Sequence, residues 1–442
     1  MLKISISGVR GIYGDSLTPE ICLDFAKAAG TYFDGGVLAV GSDTRESSEF
    51  IKGIVIHGLV SCGSNILDLG IVPTPTIGIA IRENKLSGGI MITASHNPKE
   101  WNGLKFFRSD GIFLNSQEAE KLIQIYESKG FIEKPNGETK TYDAASELHI
   151  KKILAAVHCS KIKSRKFKVV IDSVNGAGSI ITPKLLEKLG CQVIKINTDI
   201  KKPFPRGAEP TPENLSQLCE TVLKEKADIG FAQDPDADRL AIVTEEGIAI
   251  SEEYTLTLCV KHVLSSSLKS RKLIVANLST TRAIDEVAKE FGGIVIRTKV
   301  GEVYVAEEIK NEKADIGGEG NGGVIYPKVG FNRDSLCGIA LILDYMARQK
   351  SPVSKIVNAL PQYYFSKKKM ECANVKEGED LIERIKERYR GETMDFTEGI
   401  KVIFKDSWVH VRPSNTEPII RIIAEAKSPN EANELAENIL NS

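Results

Sequence analysis

The sequence predicts an α/β protein: three repeated α/β domains with parallel sheets, plus a C-terminal α+β domain. Two observations lead there. Short β-branched runs alternate with longer segments of helical period three times over, and one pentapeptide recurs at the same place in two of the copies. Apolar strands alternating with helices indicate sheets covered on both faces.

In the first copy the pattern reads strand 37–40, helix 47–60, strand 65–69, helix 76–84 and strand 89–93. The second reads strand 169–172, helix 180–189, strand 192–196, helix 212–226 and strand 228–232. The third reads 273–276, 282–291, 294–297, 303–312 and 315–317 in the same order. The run Lys226-Ala227-Asp228-Ile229-Gly230 is repeated as Lys313-Ala314-Asp315-Ile316-Gly317, each time opening the third strand of its copy. A literal echo at equivalent places is the mark of an internal repeat. The end of the chain differs: strands 401–404, 408–411 and 419–425 and a closing helix 430–440 follow a basic run at Lys367–Lys369 and a charged amphipathic stretch at 379–389. The expected domains are 1–155, 156–255, 256–364 and 365–442.

Bulk properties narrow the function. At 442 residues, 42% hydrophobic and 26% charged, the chain is globular and too long for one core. With 58 basic and 59 acidic residues, it lacks the basic excess that a nucleic-acid or membrane-surface partner calls for. The eight cysteines are scattered without a CxxC pair, which fits reduced, mostly buried thiols. No apolar run approaches the ~20 residues of a membrane span, and the N-terminus lacks a signal-peptide apolar region, so a soluble cytoplasmic protein is expected.

Ligands of open parallel sheets lie beyond the carboxyl ends of the strands. The third strands of the three copies run into the three most unusual loops of the chain: 93–98, 234–239 and 318–323. In Asp234-Pro235-Asp236-Ala237-Asp238-Arg239, alternate carboxylates supply hard oxygen ligands for Mg²⁺ or Ca²⁺. An EF-hand is excluded because Arg239 stands where its sharp turn needs glycine, and because the flanks read as strands. In Thr93-Ala94-Ser95-His96-Asn97-Pro98 the serine has no Gly-x-Ser-x-Gly elbow, so a hydrolase triad is a poor fit. On its own this loop reads as a turn. Beside a metal loop, Ser95 becomes a phosphorylatable hydroxyl whose charge a divalent cation can offset. Gly317-Gly318-Glu319-Gly320-Asn321-Gly322-Gly323 lacks the spacing of a dinucleotide or Walker loop, and Glu319 and Asn321 suit sugar hydroxyls. In the last domain, Arg412-Pro413-Ser414-Asn415-Thr416-Glu417-Pro418, with Arg421 nearby, suits a phosphate held by hydroxyls, backbone N–H groups and guanidinium forks, and taken alone reads equally as a hairpin with a surface arginine.

Together and in this order, the four loops resemble those of the α-D-phosphohexomutase superfamily over essentially the whole chain. The resemblance implies that the three repeated α/β domains have mixed, largely parallel sheets and stand with the C-terminal α+β domain around a central cleft, and that the transfer passes through phospho-Ser95, with His96 beside it. It implies that Asp234, Asp236 and Asp238 hold Mg²⁺ together with the Ser95 phosphate, and that Arg239 faces the reacting sugar. Glu319 would contact sugar hydroxyls, while Arg412, Ser414, Asn415, Thr416 and Arg421 would hold the phosphate that is not reacting. Arg10, in Gly8-Val9-Arg10-Gly11, matches an N-terminal active-site arginine, and Lys105 matches a lysine proposed as general acid/base. Lys105 would serve if burial and neighbouring positive charge lower its pKa.

The implied activity interconverts hexose 1- and 6-phosphates through a bound hexose 1,6-bisphosphate. Two departures stand out. Asn415 replaces a frequent glycine, and it tolerates positive φ. Asn321-Gly322-Gly323 replaces the Ser-Gly-His of many bacterial members and removes a histidine sometimes given an acid/base role. The Gly-Glu-x-Asn-Gly-Gly form is similar to archaeal-type phosphoglucosamine mutases and phosphomannomutases, and tilts the reading toward the former. The rival readings are a phosphomannomutase or phosphoglucomutase, a Mg²⁺-dependent sugar phosphatase, and a phosphosugar-binding protein without catalysis.

Overall fold

In each of the three copies the first strand lies at the centre, the second on one side and the third on the other, all parallel. After its loop each third strand gains an antiparallel neighbour. The computed structural model, which describes residues 2–5, 8–135, 137–371, 375–413 and 419–440, gives these strands as Val37–Ser42, Asn65–Ile71, Gly88–Ile92 and Trp101–Arg108 in the first copy. They are Lys168–Asp172, Gln192–Ile196, Ile229–Gln233 and Leu240–Thr244 in the second. In the third they are Lys272–Asn277, Gly293–Thr298, Ile316–Glu319 and Gly323–Ile325. The first sheet is extended by Lys3–Ser5 and Gly8–Ile12 on one edge and Thr139–Thr141 on the other. The sheets are therefore mixed. Of the three antiparallel strands only Leu240–Thr244 stood out as a strand in the sequence; Trp101–Arg108 carries an Asn-Gly pair, and Gly323–Ile325 is three residues long.

Side-chain alternation explains how the sheets bury both faces. Leu38, Val40, Ile90 and Ile92 join the core beneath helices Pro19–Tyr32 and Ser48–Ser61, whereas Ala39 and Met91 pack with Ile77 and Ile81 of helix Thr74–Glu83. The same holds in the third sheet. Ile274 and Ala276 enter a core shared with the second copy, and Leu273 and Val275 enter one shared with the first. The three copies are thus packed through common cores, and their third-strand loops come together.

The pentapeptide echo has a physical cause. Lys226 and Lys313 are left-handed C-caps, with φ of 51° and 52°, at the ends of helices Ser216–Glu225 and Glu302–Glu312. Two residues on, the N–H of Asp228 donates to the Lys168 carbonyl, and that of Asp315 to the Leu273 carbonyl, both at 2.8 Å. Each aspartate side chain accepts the N–H of that same partner residue, at 2.7 and 3.0 Å. The first copy repeats its backbone half: Lys85 has φ 53°, and the Ser87 N–H donates to the Val37 carbonyl at 2.9 Å. One expected helix is interrupted: 212–226 divides into a 3₁₀ turn, Pro212–Asn214, and Ser216–Glu225. Asn214 spends its side chain on the Glu209 carbonyl and Thr211, a local bond that competes with helix propagation.

The last unit is an antiparallel sheet in the order Tyr364–Glu371, Ile419–Ala426, Trp408–Pro413, Ile400–Ile403, Thr393–Asp395. Helices Val375–Arg388 and Pro429–Leu440 contribute Leu381, Ile385, Ala436 and Ile439 to its core. Lys367–Lys369 lies on its edge strand, where lysines discourage pairing with another chain. The sheet docks on the third copy through buried polar groups. Glu425 accepts from the Thr281 hydroxyl, the Arg282 N–H and the Trp408 indole. Lys401 donates to the Leu278 carbonyl at 2.5 Å, and burial pulls its pKa down to about 7. The seven described cysteines are unpaired, four of them buried.

Candidate active site

Ser95 sits past the end of strand Gly88–Ile92 with φ of 48°, a left-handed conformation that a non-glycine residue adopts at a cost. Surrounding bonds hold it there. Its N–H donates to Thr93 Oγ1 at 2.9 Å, and Thr93 Oγ1 donates to Asp43 Oδ2 at 2.7 Å. The buried guanidinium of Arg45 donates to the carbonyls of Ser95, Asn97, Pro98 and Trp101 at 2.5, 2.8, 2.6 and 2.9 Å. Its Nε donates to Asp43 at 3.0 Å, and the Phe204 ring lies 5.1 Å away. Arg10, on strand Gly8–Ile12, donates to the Asn97 side chain at 3.1 Å.

The second loop curls as its spacing requires. Ala237 has φ 53°, and Asp234 Oδ1 accepts the N–H groups of Asp238 and Arg239, both at 3.1 Å. One carboxylate oxygen from each of Asp234, Asp236 and Asp238 lies within 4.8 Å of the others, and all three residues are wholly buried. Ser95 Oγ donates to Asp234 Oδ2 at 3.0 Å. The serine and the triple-aspartate loop, 139 residues apart in sequence, therefore form one site.

Its electrostatics follow from crowding. Burial, then the charges of Asp238 and Asp236, raise the Asp234 pKa well above the usual carboxylate range. Burial also works against the charge of Asp236, but Lys105 and the hydrogen bonds of Asp234 and Thr74 outweigh it and hold Asp236 ionised. Lys105 Nζ lies 2.7 Å from Asp236 and 3.6 Å from Asp238. Lys105 is buried, as its role requires, and the antiparallel strand Trp101–Arg108 delivers it straight to the carboxylates of the triad, where Arg333 shares Asp238 Oδ2 with it. His96 Nδ1 lies 3.4 Å from Ser95 Oγ. The positive charge of Arg239, then burial, then Arg10 and Arg333, hold its pKa well below the usual value, so His96 is neutral. Arg239 pairs with Glu209.

In the third loop, Glu319 accepts from Asn277 Nδ2 at 2.8 Å, the Gly301 N–H at 3.1 Å and Arg333 Nη1 at 2.8 Å. Asn321 Nδ2 stands 3.5 Å from Glu319, and its Oδ1 accepts the Gly323 N–H at 3.2 Å. Arg412 and Arg421 are direct partners on adjacent strands of the last sheet. Arg412 pairs with Glu398 at 3.4 Å, and burial lowers its pKa. Ser414, Asn415 and Thr416 lie outside the described residues.

Four family models match in chain order, described as phosphoglucomutase/phosphomannomutase α/β/α domains I, II and III and the C-terminal domain, over residues 2–133, 147–247, 251–364 and 369–442. The chain belongs to the phosphoglucomutase/phosphomannomutase family. It is an enzyme, a phosphohexomutase of the isomerase class. Among its relatives is a probable phosphoglucosamine mutase of Methanopyrus kandleri, 38% identical over 98% of this chain and 96% of its own. A phosphoglucomutase/phosphomannomutase of Thermococcus kodakarensis is also 38% identical, over 97% and 96%. A crystal structure of a phosphoglucomutase/phosphomannomutase family protein from Burkholderia thailandensis superposes with a TM-score of 0.86 at 25% identity, covering 99% of this chain and 97% of that one. Among the described residues, no helix of this phosphohexomutase is long and apolar enough to cross a membrane.

Several side chains of the site carry no motif of their own. Asp43 and Arg45 follow strand Val37–Ser42, at the carboxyl end of a central strand where ligands of such sheets gather, and that position was the one available signal. Thr74 donates to Asp236 at 2.6 Å from the start of helix Thr74–Glu83, and Arg333 reaches Glu319 from the segment before helix Ser335–Gln349. Neither is marked in the sequence.

Proposed function

We propose that this phosphohexomutase is a phosphoglucosamine mutase, interconverting glucosamine 6-phosphate and glucosamine 1-phosphate through phospho-Ser95. The observation that carries the chemistry is the 3.0 Å contact between Ser95 Oγ and a buried triple-aspartate cluster. Lys105 and Arg333 offset only part of the charge of this cluster, and what is left suits a hard divalent cation. Asp236 Oδ1 and Asp238 Oδ1 are buried and accept no hydrogen bond among the described residues, leaving two anionic oxygens for one. Mg²⁺ held by Asp234, Asp236, Asp238 and the Ser95 phosphate would offset charge on the transferred phosphoryl group.

The chain's own residues do the rest. Arg45 and Thr93 hold the serine loop in its left-handed turn, so that Oγ is presented without reorganisation. The phosphoryl group passes from Ser95 Oγ to the free hydroxyl of the bound sugar phosphate, giving a 1,6-bisphosphate, and the other phosphoryl group then returns to Ser95. Lys105, which donates to Asp236 at 2.7 Å, would act as proton donor to the oxygen that leaves the transferred phosphoryl group. Neutral His96, 3.4 Å from Ser95 Oγ, would orient that oxygen by hydrogen bonding. Arg10 and Arg239 flank the reacting ester, Glu319 and Asn321 meet sugar hydroxyls, and Arg412 and Arg421, with Ser414, Asn415 and Thr416, hold the second phosphate.

Turnover of glucosamine, mannose and glucose 1-phosphates, measured side by side with the matching bisphosphate, tests the substrate. The amino sugar is expected to have the highest kcat/KM. A mannose or glucose preference would favour the second reading, supported by the Thermococcus kodakarensis relative, and net release of inorganic phosphate would mark a phosphatase. The cation has its own test. Mg²⁺ at about 100 times its Kd stabilises the folded state by about 2.7 kcal/mol, a shift of roughly 3 °C in the melting midpoint. Asp238→Asn is expected to abolish that shift in a thermal-melt titration.

A further inference from the structure

Where the second and third loops meet there is a guanidinium that belongs to neither. Arg333 is 7% exposed. Its Nη2 donates to Asp238 Oδ2 at 2.6 Å, its Nη1 to Glu319 Oε2 at 2.8 Å and its Nε to Glu302 Oε2 at 3.0 Å. Its backbone N–H goes to the other oxygen of Glu302, also at 3.0 Å. One planar fork thus holds one carboxylate from each loop, while Glu302 holds the fork. The next residue is pinned as well, by the Asp334 N–H bond to the Val324 carbonyl at 2.8 Å.

The path of this side chain explains a glycine. A Cβ at Gly323 would stand 2.2 Å from Arg333 Cδ and 2.8 Å from Cγ, so any side chain there would displace the arginine stem. Gly323 and Arg333 therefore form a pair: the missing side chain at one position makes room for the arm of the other. Few other bonds could replace the fork. Without it, Glu319 Oε2 keeps only the 3.5 Å contact to Asn321, and Asp238 Oδ2 keeps Lys105 at 3.6 Å.

We propose that Arg333 is a positioning residue that fixes Asp238 and Glu319 relative to each other, so that the cation site and the sugar-hydroxyl site are built as one unit. The proposal rests on the reading of Glu319 as a sugar contact. A lysine cannot stand in for it, since an ammonium is a point charge without the fork that serves two carboxylates at fixed angles. Charge and positioning can therefore be separated.

The test uses the full-length enzyme, glucosamine 1-phosphate as substrate, and Mn²⁺ binding followed by the paramagnetic resonance of the free ion. R333K keeps the positive charge. It is expected to raise KM about tenfold and to weaken Mn²⁺ binding several-fold, the scale of a lost charge-assisted hydrogen bond on each side. E302Q, which removes the anchor of the fork without touching either loop, is expected to move both readouts in the same direction. A role limited to stability would lower the melting midpoint and leave KM and Mn²⁺ affinity at wild-type values. That result in folded R333K, or in E302Q if R333K does not fold, overturns the proposal. E319Q separates this from the underlying reading: an unchanged KM in E319Q removes Glu319 as a sugar contact and the coupling with it. A raised KM in E319Q beside wild-type values in R333K removes the coupling alone.

Discussion

Ser95→Gly is expected to leave a folded protein of nearly unchanged stability with mutase turnover lowered by at least about a thousandfold, as for loss of other covalent nucleophiles. The stability half of this prediction follows from two opposed effects. The left-handed backbone of Ser95, φ 48°, costs an L-residue roughly 1–2 kcal/mol that glycine does not incur. Against this, glycine loses the hydroxyl bond to Asp234, worth about 1 kcal/mol net. The terms nearly cancel. Ser95→Ala keeps the strained backbone and loses the same bond, so it should be the less stable of the two and equally inactive. Thermal melts rank the pair, and a coupled assay with glucose or glucosamine 1,6-bisphosphate supplied reads turnover. Intact-mass analysis should find one phosphoryl group on the wild-type chain and none on either variant. Full mutase activity in Ser95→Ala would falsify the covalent scheme.

What made Ser95 legible was its place in the repeat. Strand and helix periods locate the carboxyl ends of the third strands, and the topology of such sheets directs ligands to those ends. The loops at 93–98 and 234–239 could therefore be linked before any contact was known, and the 3.0 Å bond between them is the physical form of that link. The acidic cluster was equally legible, since alternate aspartates in a tight curl leave few other arrangements. The sequence did not reveal how the loops are held. Arg45 bonds four carbonyls 50 to 56 residues away, and Arg333 bonds Asp238 from 95 residues away. An arginine whose partners are backbone carbonyls and distant carboxylates leaves no periodic or motif trace. The same non-locality hid the antiparallel strands Trp101–Arg108 and Gly323–Ile325, which are defined by pairing and not by composition. It also hid the surroundings of Lys105, since the strand that carries it sets it against the aspartates.

Arg45→Met is expected to be the most damaging single change outside the reacting groups, and to act on stability and turnover by separate routes. The side chains of Arg45 and its ion-pair partner Asp43 are both fully buried. Removing the cation leaves a buried carboxylate with the hydroxyls of Ser48 and Thr93 but no compensating charge. Breaking a buried pair in this way costs about 3–5 kcal/mol. The carbonyls of Ser95, Asn97, Pro98 and Trp101 lose their shared donor at the same time. The Pro98 carbonyl keeps the Trp101 N–H at 3.0 Å and the Ala94 carbonyl keeps the Asn97 N–H at 3.1 Å, but the carbonyl of Ser95 itself loses its donor, which loosens the left-handed turn. A displacement of Oγ by about 1 Å is enough to lower turnover roughly a hundredfold. The two effects separate under conditions where the variant is still folded, as judged by circular dichroism. There kcat should be down by about that factor, while KM for the sugar phosphate, set by Glu319 and the last domain, should change little. Arg45→Lys can keep the charge beside Asp43 but cannot reach four carbonyls with one ammonium, so it is expected to recover most of the stability and little of the turnover. A lysine variant that recovered both would assign Arg45 to charge balance alone, and a methionine variant with wild-type kcat would remove it from the positioning of Ser95.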